Sequence, residues 1–455
     1  MPSNRNTDNR LTAPVNNASP YKATVAMLLV LLILIVPAVP ALSGNKAKDR
    51  KPSKEAQKAL RQARRLLPSP DKTADARKLV NEALKDSILA SDAETYYVAG
   101  KIEANAYAES MKKLSINRND PKVDRTAMAD ALLSARSYFI RTISLDTTVD
   151  SKGNVRTHYS DQLYDWLAAH TPQYYNSGIA YLNKKQYYPQ AYSAFMAYAA
   201  SPDEPWHDRI TPIPSDSARA KAYFYAGVMA FNASRFDISA EAFDMARRYR
   251  YPRKEVLVNQ MVCYRKMADA DSAFMPKAMT RITSIAGEGV RRFGISDPLF
   301  IQKYVAGKIW MGEPADAVTM IDSVLHADSA SVSMLLTLRG QAHFAMKDTT
   351  AAIDDYTLAA DSSASFSTLL GASKLYAAQG IKELNKVSGN SRSTRKATRR
   401  IGDKWLRPAL EYAIRAKELA ARRKPSDGDF SGESDETLLS DLENTIATIR
   451  YYLLK

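Results

Sequence analysis

The residues able to do chemistry are few and scattered. The histidines are His158, His170, His207, His326 and His343, and no two stand at the spacing with which a helix ligates a metal, as in His-Glu-x-x-His. All are expected to pack or to sit on the surface, His343 as a helix-packing residue. Asp427-Gly-Asp-Phe-Ser-Gly-Glu-Ser opens like a calcium loop, with Asp427, Asp429, Ser431 and Gly432 in the required alternation. Its twelfth position is Leu438, where the wrapping Glu belongs, so a flexible acidic loop is expected instead. The stretch GEGVRRFG at 287–294 has neither dinucleotide nor phosphate-loop spacing and follows a helical pattern, which predicts a helix-to-helix turn. The single cysteine, Cys263, cannot form an internal disulfide and lies in the apolar stretch VLVNQMVCYRKM, so a buried structural thiol is expected. There is no Gly-x-Ser-x-Gly elbow, no Cys–His constellation and no basis for pairing any carboxylates as acid and base. The expectation is a non-enzymatic protein with no catalytic residue, no metal and no cofactor.

The elements that carry these residues are helical. At 455 residues and 45% hydrophobic content the chain is too apolar for wholesale disorder and long enough for two or three domains or one extended solenoid. Glycine is scarce, alanine-rich runs recur at helical spacing from Ala56 onward, and no alternating strand pattern is found, so the fold class expected is all-α. The formal charge is +15. It falls to +13 without residues 1–41, because Arg5, Arg10 and Lys22 leave with Asp8. Most Lys and Arg are spread over helix faces, where they keep the surface solvated, and no nucleic-acid module accompanies them, so no nucleic-acid partner is expected.

Residues 1–22 are polar and expected to be disordered. An apolar run, ATVAMLLVLLILIV at 23–36, is followed by PAVPALSG. Residues 23–43 are therefore either a cleaved signal peptide, cut after Ala41 or Ser43, or an uncleaved anchor of about 20 residues. Export to the periplasm or cell envelope, or membrane anchoring, is expected. Lys46, Lys48, Arg50, Lys51 and Lys54 in and beside the basic linker at 44–52 would instead hold an uncleaved chain's soluble part in the cytoplasm. Helical repeats are expected over 53–420, interrupted by a proline-rich break at 203–216 and by a basic loop near 386–404. A flexible polar loop at 421–437 and a capping helix at 438–455 complete the chain.

The repeats are clearest at 335–360, LLTLRGQAHFAMKDTTAAIDDYTLAA, where Gly340 is followed by Ala352, Tyr356 and Ala359. A second good copy, KAYFYAGVMAFNASRFDISAEAFDMARRYRYP, carries Tyr223, Gly227, Phe236, Phe243 and Ala246. Gly178 with Tyr181, Ala191 and Phe195, and Gly307 with Trp310, Ala317 and Ile321, give further units, and Gly371 opens another. Gly100 with Ala135, Phe139 and Thr142 reads as a repeat with a lengthened connection. These offsets resemble the tetratricopeptide repeat, a pair of short amphipathic helices in which a small residue on the first lets the second lie close. Such pairs cannot bury their apolar faces alone and must stack, so the resemblance implies an α-solenoid of divergent helix pairs. Arg339 and His343 depart from the family pattern and are expected at altered surface and packing positions.

The resemblance also implies a function. In that family the first helices line a ligand-binding surface. Carried over position by position, the lining would comprise Tyr97, Lys101 and Asn105; Tyr175 and Asn183; Phe224, Phe231 and Asn232; and Tyr304 and Lys308. Aromatic faces with amide groups suit an extended peptide, since rings offer apolar area at low entropy cost and Asn can bond a peptide backbone. The expectation is a scaffold or adaptor for a protein or peptide partner in the cell envelope, with membrane association through 23–43. An adaptor for anionic glycan or membrane surfaces, using the basic faces, is the alternative, and an enzyme with an unrecognised site a more distant one.

Overall fold

The computed structural model describes residues 51–149, 155–295, 297–325, 332–363, 365–389, 391–422 and 435–454. The polar N-terminus, the apolar run, most of the basic linker, the Asp427 loop and His326 lie outside the described residues. Among the described residues no helix is long and apolar enough to cross a membrane. The chain divides into two units. One comprises residues up to Asn119 together with Ser134–Asp161, and the other Asp120–Leu133 together with Gln162 onward.

In the first unit α1 (Lys54–Leu66), α2 (Thr73–Ala83), α3 (Ala93–Ile116) and the later part of α4 (Arg125–Leu145) pack around small residues. Ser53 caps α1 by accepting from the Ala56 amide, and Asp92 caps α3 by accepting from the Thr95 amide. Ala63, Ala76, Val80, Val98, Ala99 and Ile102 form a core against Tyr138. The buried carboxylate of Glu103 takes a two-pronged bond from Arg77, at 2.8 and 2.6 Å. Asp146 then gathers the chain by accepting from the amides of His158, Tyr159 and Ser160 at 2.7–3.0 Å. Beside it lies a two-residue antiparallel pairing, β1 (Thr148–Val149) with β2 (Val155–Arg156), too short to leave an alternating pattern in sequence.

The second unit begins with the first turns of α4 and continues through α5 (Ser160–Ala169), α6 (Thr171–Tyr181), α7 (Tyr188–Ala199), α8 (Asp216–Asn232), α9 (Phe236–Arg248), α10 (Glu255–Ala270), α11 (Met275–Phe293), α12 (Pro298–Trp310), α13 (Pro314–Leu325), α14 (Val332–Ala345), α15 (Thr349–Ser363), α16 (Phe366–Leu384), α17 (Arg392–Ile401), α18 (Arg407–Ala421) and α19 (Asp435–Leu454). From α6 to α16 each helix packs on the next in sequence, so its core is a row of local contacts, the arrangement of a stacked solenoid. One cluster runs from Ala129 through Tyr181, Phe195, Phe243, Leu257 and Ile285 to Leu335 and Ala342.

Four sequence expectations are corrected here. Residues 287–294 are not a turn: Gly287 and Gly289 lie inside α11, where a Cβ would press on Tyr304 and Phe300, and only Gly294, with φ 67°, ends the helix. Glycine serves there for close approach. Gly307 makes room for Thr283 of the preceding α11 rather than for α13, although Ala317 and Ile321 are fully buried. The basic stretch expected as a loop is mostly helix, because Ser391 caps α17 by accepting from the Thr394 amide, and a π-helical turn at Gly402–Leu406 joins it to α18. The C-terminal helix begins at Asp435, three residues before its expected start.

Candidate binding surface

The repeat geometry comes from one device. The ring of Phe195 lies on Gly178, that of Phe243 on Gly227 and that of Tyr356 on Gly340, so close that a Cβ on any of these glycines would sit 2.7 Å from ring carbon. Gly371 receives the other edge of the Tyr356 ring, and Gly100 receives Phe139 across the lengthened connection. The turns repeat as well. After α8, Ser234 has φ 58° and the Arg235 amide reaches back to Ala230 O at 2.9 Å; after α14, Lys347 has φ 65° and the Asp348 amide reaches His343 O at 2.9 Å. Gly312 after α12 does the same, with the Glu313 amide on Lys308 O at 2.8 Å. This six-to-one bond across a left-handed residue is the Schellman ending. A glycine-seated ring 16 residues on, reached through a tight left-handed turn, fixes the pair geometry at α8–α9 and α14–α15. In this geometry the helix pairs resemble divergent tetratricopeptide repeats.

Solved structures similar to this chain include a TPR repeats protein from Bacteroides fragilis, 16% identical over 61% of this chain and 98% of that one, with a TM-score of 0.32. A tetratricopeptide repeat protein from Parabacteroides merdae is 12% identical, covering 69% and 94%, with a TM-score of 0.21. The TPR2AB domain of yeast Sti1, in complex with pHSP90, is 11% identical over 72% and 97%, with a TM-score of 0.23. No family model matches the sequence, and no curated protein does.

The residues expected to line a groove fall into three groups. In the first unit the Tyr97 ring stacks on Tyr159 at 4.4 Å, and the Asn105 amide donates to Leu67 O at 2.9 Å, which spends it on the join between helices. Lys101 is half-buried beside them. In the second unit Tyr304 covers Gly287, while Lys308 lies 2.6 Å from both Glu313 and Asp316. Those bonds to Asp316 and Glu313 raise its ammonium above the ordinary lysine value. Asn183 is exposed in the α6–α7 turn, and Phe231 and Asn232 lie at the end of α8, with Phe231 edge-on to Phe236 at 5.3 Å.

Tyr175 and Phe224 belong together. Tyr175 on α6 meets Tyr198 at 5.2 Å and Tyr225 at 6.5 Å; Tyr225 meets Phe224 at 6.0 Å; and Phe224 stacks on Tyr251 at 4.6 Å and 14°. The result is a continuous ladder of rings contributed by α6, the end of α7, α8 and the segment before α10. Tyr175, Tyr198, Phe224 and Tyr225 are half-buried, with one edge against the core and the other outside it. Burial pushes the Tyr175 phenol up to about 12, so it remains a neutral hydroxyl at physiological pH, and the phenols of Tyr198 and Tyr251 shift the same way for the same reason. Lys221 stands 6.0 Å from the Tyr225 ring centroid, at the edge of cation–π range. Tyr198, Tyr225 and Tyr251 were missed in the sequence: Tyr198 and Tyr251 lie outside the first helices, and Tyr225, although on α8, is not at one of the repeat positions carried over.

The residues set aside as structural are placed as follows. Cys263 is fully buried, its thiol 3.3 Å from Ser239 Oγ and pushed up to about 11 by burial, which makes it a poor nucleophile. Arg339 forks onto Asp355 at 2.6–3.1 Å and reaches Asp322 at 2.7 Å, and His343 Nδ1 lies 3.0 Å from the same Asp355 carboxylate. A cleft of about 470 Å³ opens between α18 and α19 beside Leu410, Ile414 and Leu453, and includes none of the expected groove residues.

Proposed function

We propose that the chain is a non-enzymatic scaffold that holds an extended segment of a partner protein along the ring ladder of Tyr198, Tyr175, Tyr225, Phe224 and Tyr251. The ladder carries this proposal. Its four half-buried rings, Tyr198, Tyr175, Tyr225 and Phe224, offer apolar area already fixed by packing, with buried Tyr251 backing Phe224, so little conformational entropy is lost on contact, and the neutral hydroxyl of Tyr175 can donate to a peptide carbonyl. Asn183 and Asn232, both exposed, supply amides at the ends of the neighbouring helices. Lys308 and Asn105 are each committed to internal bonds and are not assigned to the ladder.

We place this activity in the cell envelope, with the apolar run at 23–36 as signal or anchor. Capture from membrane-solubilised extract by the full-length chain, with mass spectrometry of bait and prey, tests both parts. Recovery of a reproducible protein prey that is lost with Tyr225→Ser supports the scaffold. Prey retained undiminished by Tyr225→Ser together with Phe224→Ser removes the ladder from the account. A bait beginning at Leu42 or Gly44 supports export with cleavage.

A further inference from the structure

Helix α17 and the turn that follows it carry Arg392, Arg395, Lys396, Arg399, Arg400, Lys404 and Arg407, with Asp403 as the one acid among them. At 100° per residue these cations fall on one half of the helix circumference. The burial pattern agrees: all seven are exposed, while Thr394, Ala397, Thr398, Ile401 and Trp405 on the other half are partly covered and Leu406 is buried. The stripe is about 22 Å long at the rise of a helix. Asp403 bonds Arg407 at 2.7 Å and lies 3.9 Å from Arg399, whereas no described carboxylate pairs with Arg392, Arg395, Lys396 or Arg400.

Nothing in the folding of the helix asks for this arrangement. Arg392 and Lys396, Lys396 and Arg400, Arg395 and Arg399, and Arg400 and Lys404 are like charges one turn apart, and each such pair destabilises a helix. Arg392 and Arg395 stand in the first turn, where the helix dipole disfavours cations. A π-helical turn interrupts the hydrogen-bond ladder at Gly402–Leu406, a feature found often at functional sites, and Lys404 is held there over the Trp405 ring at 4.7 Å. A row of repelling cations along an exposed helix face is relieved by a surface of spread negative charge.

We propose that this stripe docks on the anionic headgroups of a phospholipid bilayer. The stripe's one aromatic residue, Trp405, is half-buried beneath Lys404 rather than free to stack on a base. The same chain carries the apolar run at 23–36, which under the reading proposed above is a signal or anchor and directs the chain to a membrane. Clusters of this size bind anionic lipid through charge number rather than through shape. The proposal is independent of the ring ladder, which lies on other helices.

The test is flotation of the full-length chain with vesicles of phosphatidylcholine and of three parts phosphatidylcholine to one of phosphatidylglycerol. The apolar segment contributes to both, so the ratio of the two partition coefficients isolates charge. Arg392→Gln, Arg395→Gln, Lys396→Gln and Arg400→Gln combined should lower that ratio at least tenfold, at about fivefold per charge removed from a saturating cluster. Lys58→Gln, Lys78→Gln, Lys112→Gln and Lys113→Gln combined, equal in charge and on exposed helix faces elsewhere, should change it less than twofold. Replacing the four α17 arginines with Lys should preserve the ratio, since a lipid surface reads charge and not the guanidinium fork. A ratio unchanged by the Gln variant, an equal fall in the control, a collapse in the Lys variant, or duplex DNA displacing the wild-type chain from anionic vesicles at equal phosphate concentration would overturn the proposal.

Discussion

The hairpins α8–α9 and α14–α15 share a backbone device and differ in what fills the space between their helices. Both seat a ring on a glycine 16 residues earlier, and both turn through a left-handed residue seven positions after that glycine, Ser234 in one and Lys347 in the other. At the positions one before, three after and fifteen after the glycine, the first hairpin has Ala226, Ala230 and Ala242, all buried. The second has Arg339, His343 and Asp355, an ion cluster around a carboxylate with 4% exposure. The same geometry thus tolerates three methyl groups or three ionisable groups at one set of helix contacts. The glycine, the ring and the turn specify the pair, and the intervening positions specify only how it is filled.

This comparison can be broken experimentally. Removing the shared device should cost most: Tyr356→Ala should destabilise α14–α16 by about 3–5 kcal/mol, because the ring is clasped by Gly340 and Gly371. Hydrogen exchange resolved to those helices measures it, and a loss below about 1 kcal/mol would show that the ring is not the organiser. Next comes the filling. Arg339→Ala strands the buried Asp355 carboxylate and should cost about 3 kcal/mol, whereas Arg339→Ala with His343→Ala and Asp355→Ala, which copies the alanine trio of the other hairpin, should recover most of that loss. A triple variant less stable than the single one would contradict the equivalence. Gly227→Ala and Gly340→Ala should each cost about 1–3 kcal/mol by urea unfolding, similarly in the two hairpins, since each Cβ meets a ring at the same distance.

A smaller difference concerns pH. On α9, burial would raise the Asp244 carboxyl, but Arg247, Arg248 and Gln260 outweigh it and hold the group below its ordinary value; Thr357 occupies the corresponding place on α15. A depressed folded value stabilises the protein above the unfolded value near 3.9 and loses that stabilisation as the pH falls below it. Between about pH 5 and pH 3, exchange protection of α8–α9 should fall in the wild type, and Asp244→Asn should flatten that fall while lowering protection at pH 7. The smallest effect belongs to the turn: Lys347→Gly relieves a left-handed lysine and should raise stability by at most about 1 kcal/mol, read as a shift in thermal midpoint.

What could be read from sequence follows from how local each feature is. The seats of Phe195, Phe243 and Tyr356 were legible because a ring on a glycine demands one residue type at a nearly fixed offset. Gly287 and Gly289 were misread because glycine signals both a turn and a close approach, and only the neighbouring helix, with Tyr304 and Phe300, decides between them. The basic helix was hidden by its charge, although Ser391, its N-cap, stands in the sequence three residues before the Thr394 amide it receives. The ring ladder was half legible. Tyr175 and Phe224 occupy repeat positions, but their joining through Tyr198, Tyr225 and Tyr251 depends on how the helices stack, which no offset within one repeat encodes.

The scaffold proposal is tested most directly by a photoreactive benzoylphenylalanine placed at Tyr225 of the full-length chain and illuminated in cells. Cross-links to one reproducible segment of a partner protein, absent when the same group replaces exposed Lys78 in the first unit, are the predicted result. Cross-links confined to this chain's own residues, or spread equally over unrelated proteins from both positions, would contradict it.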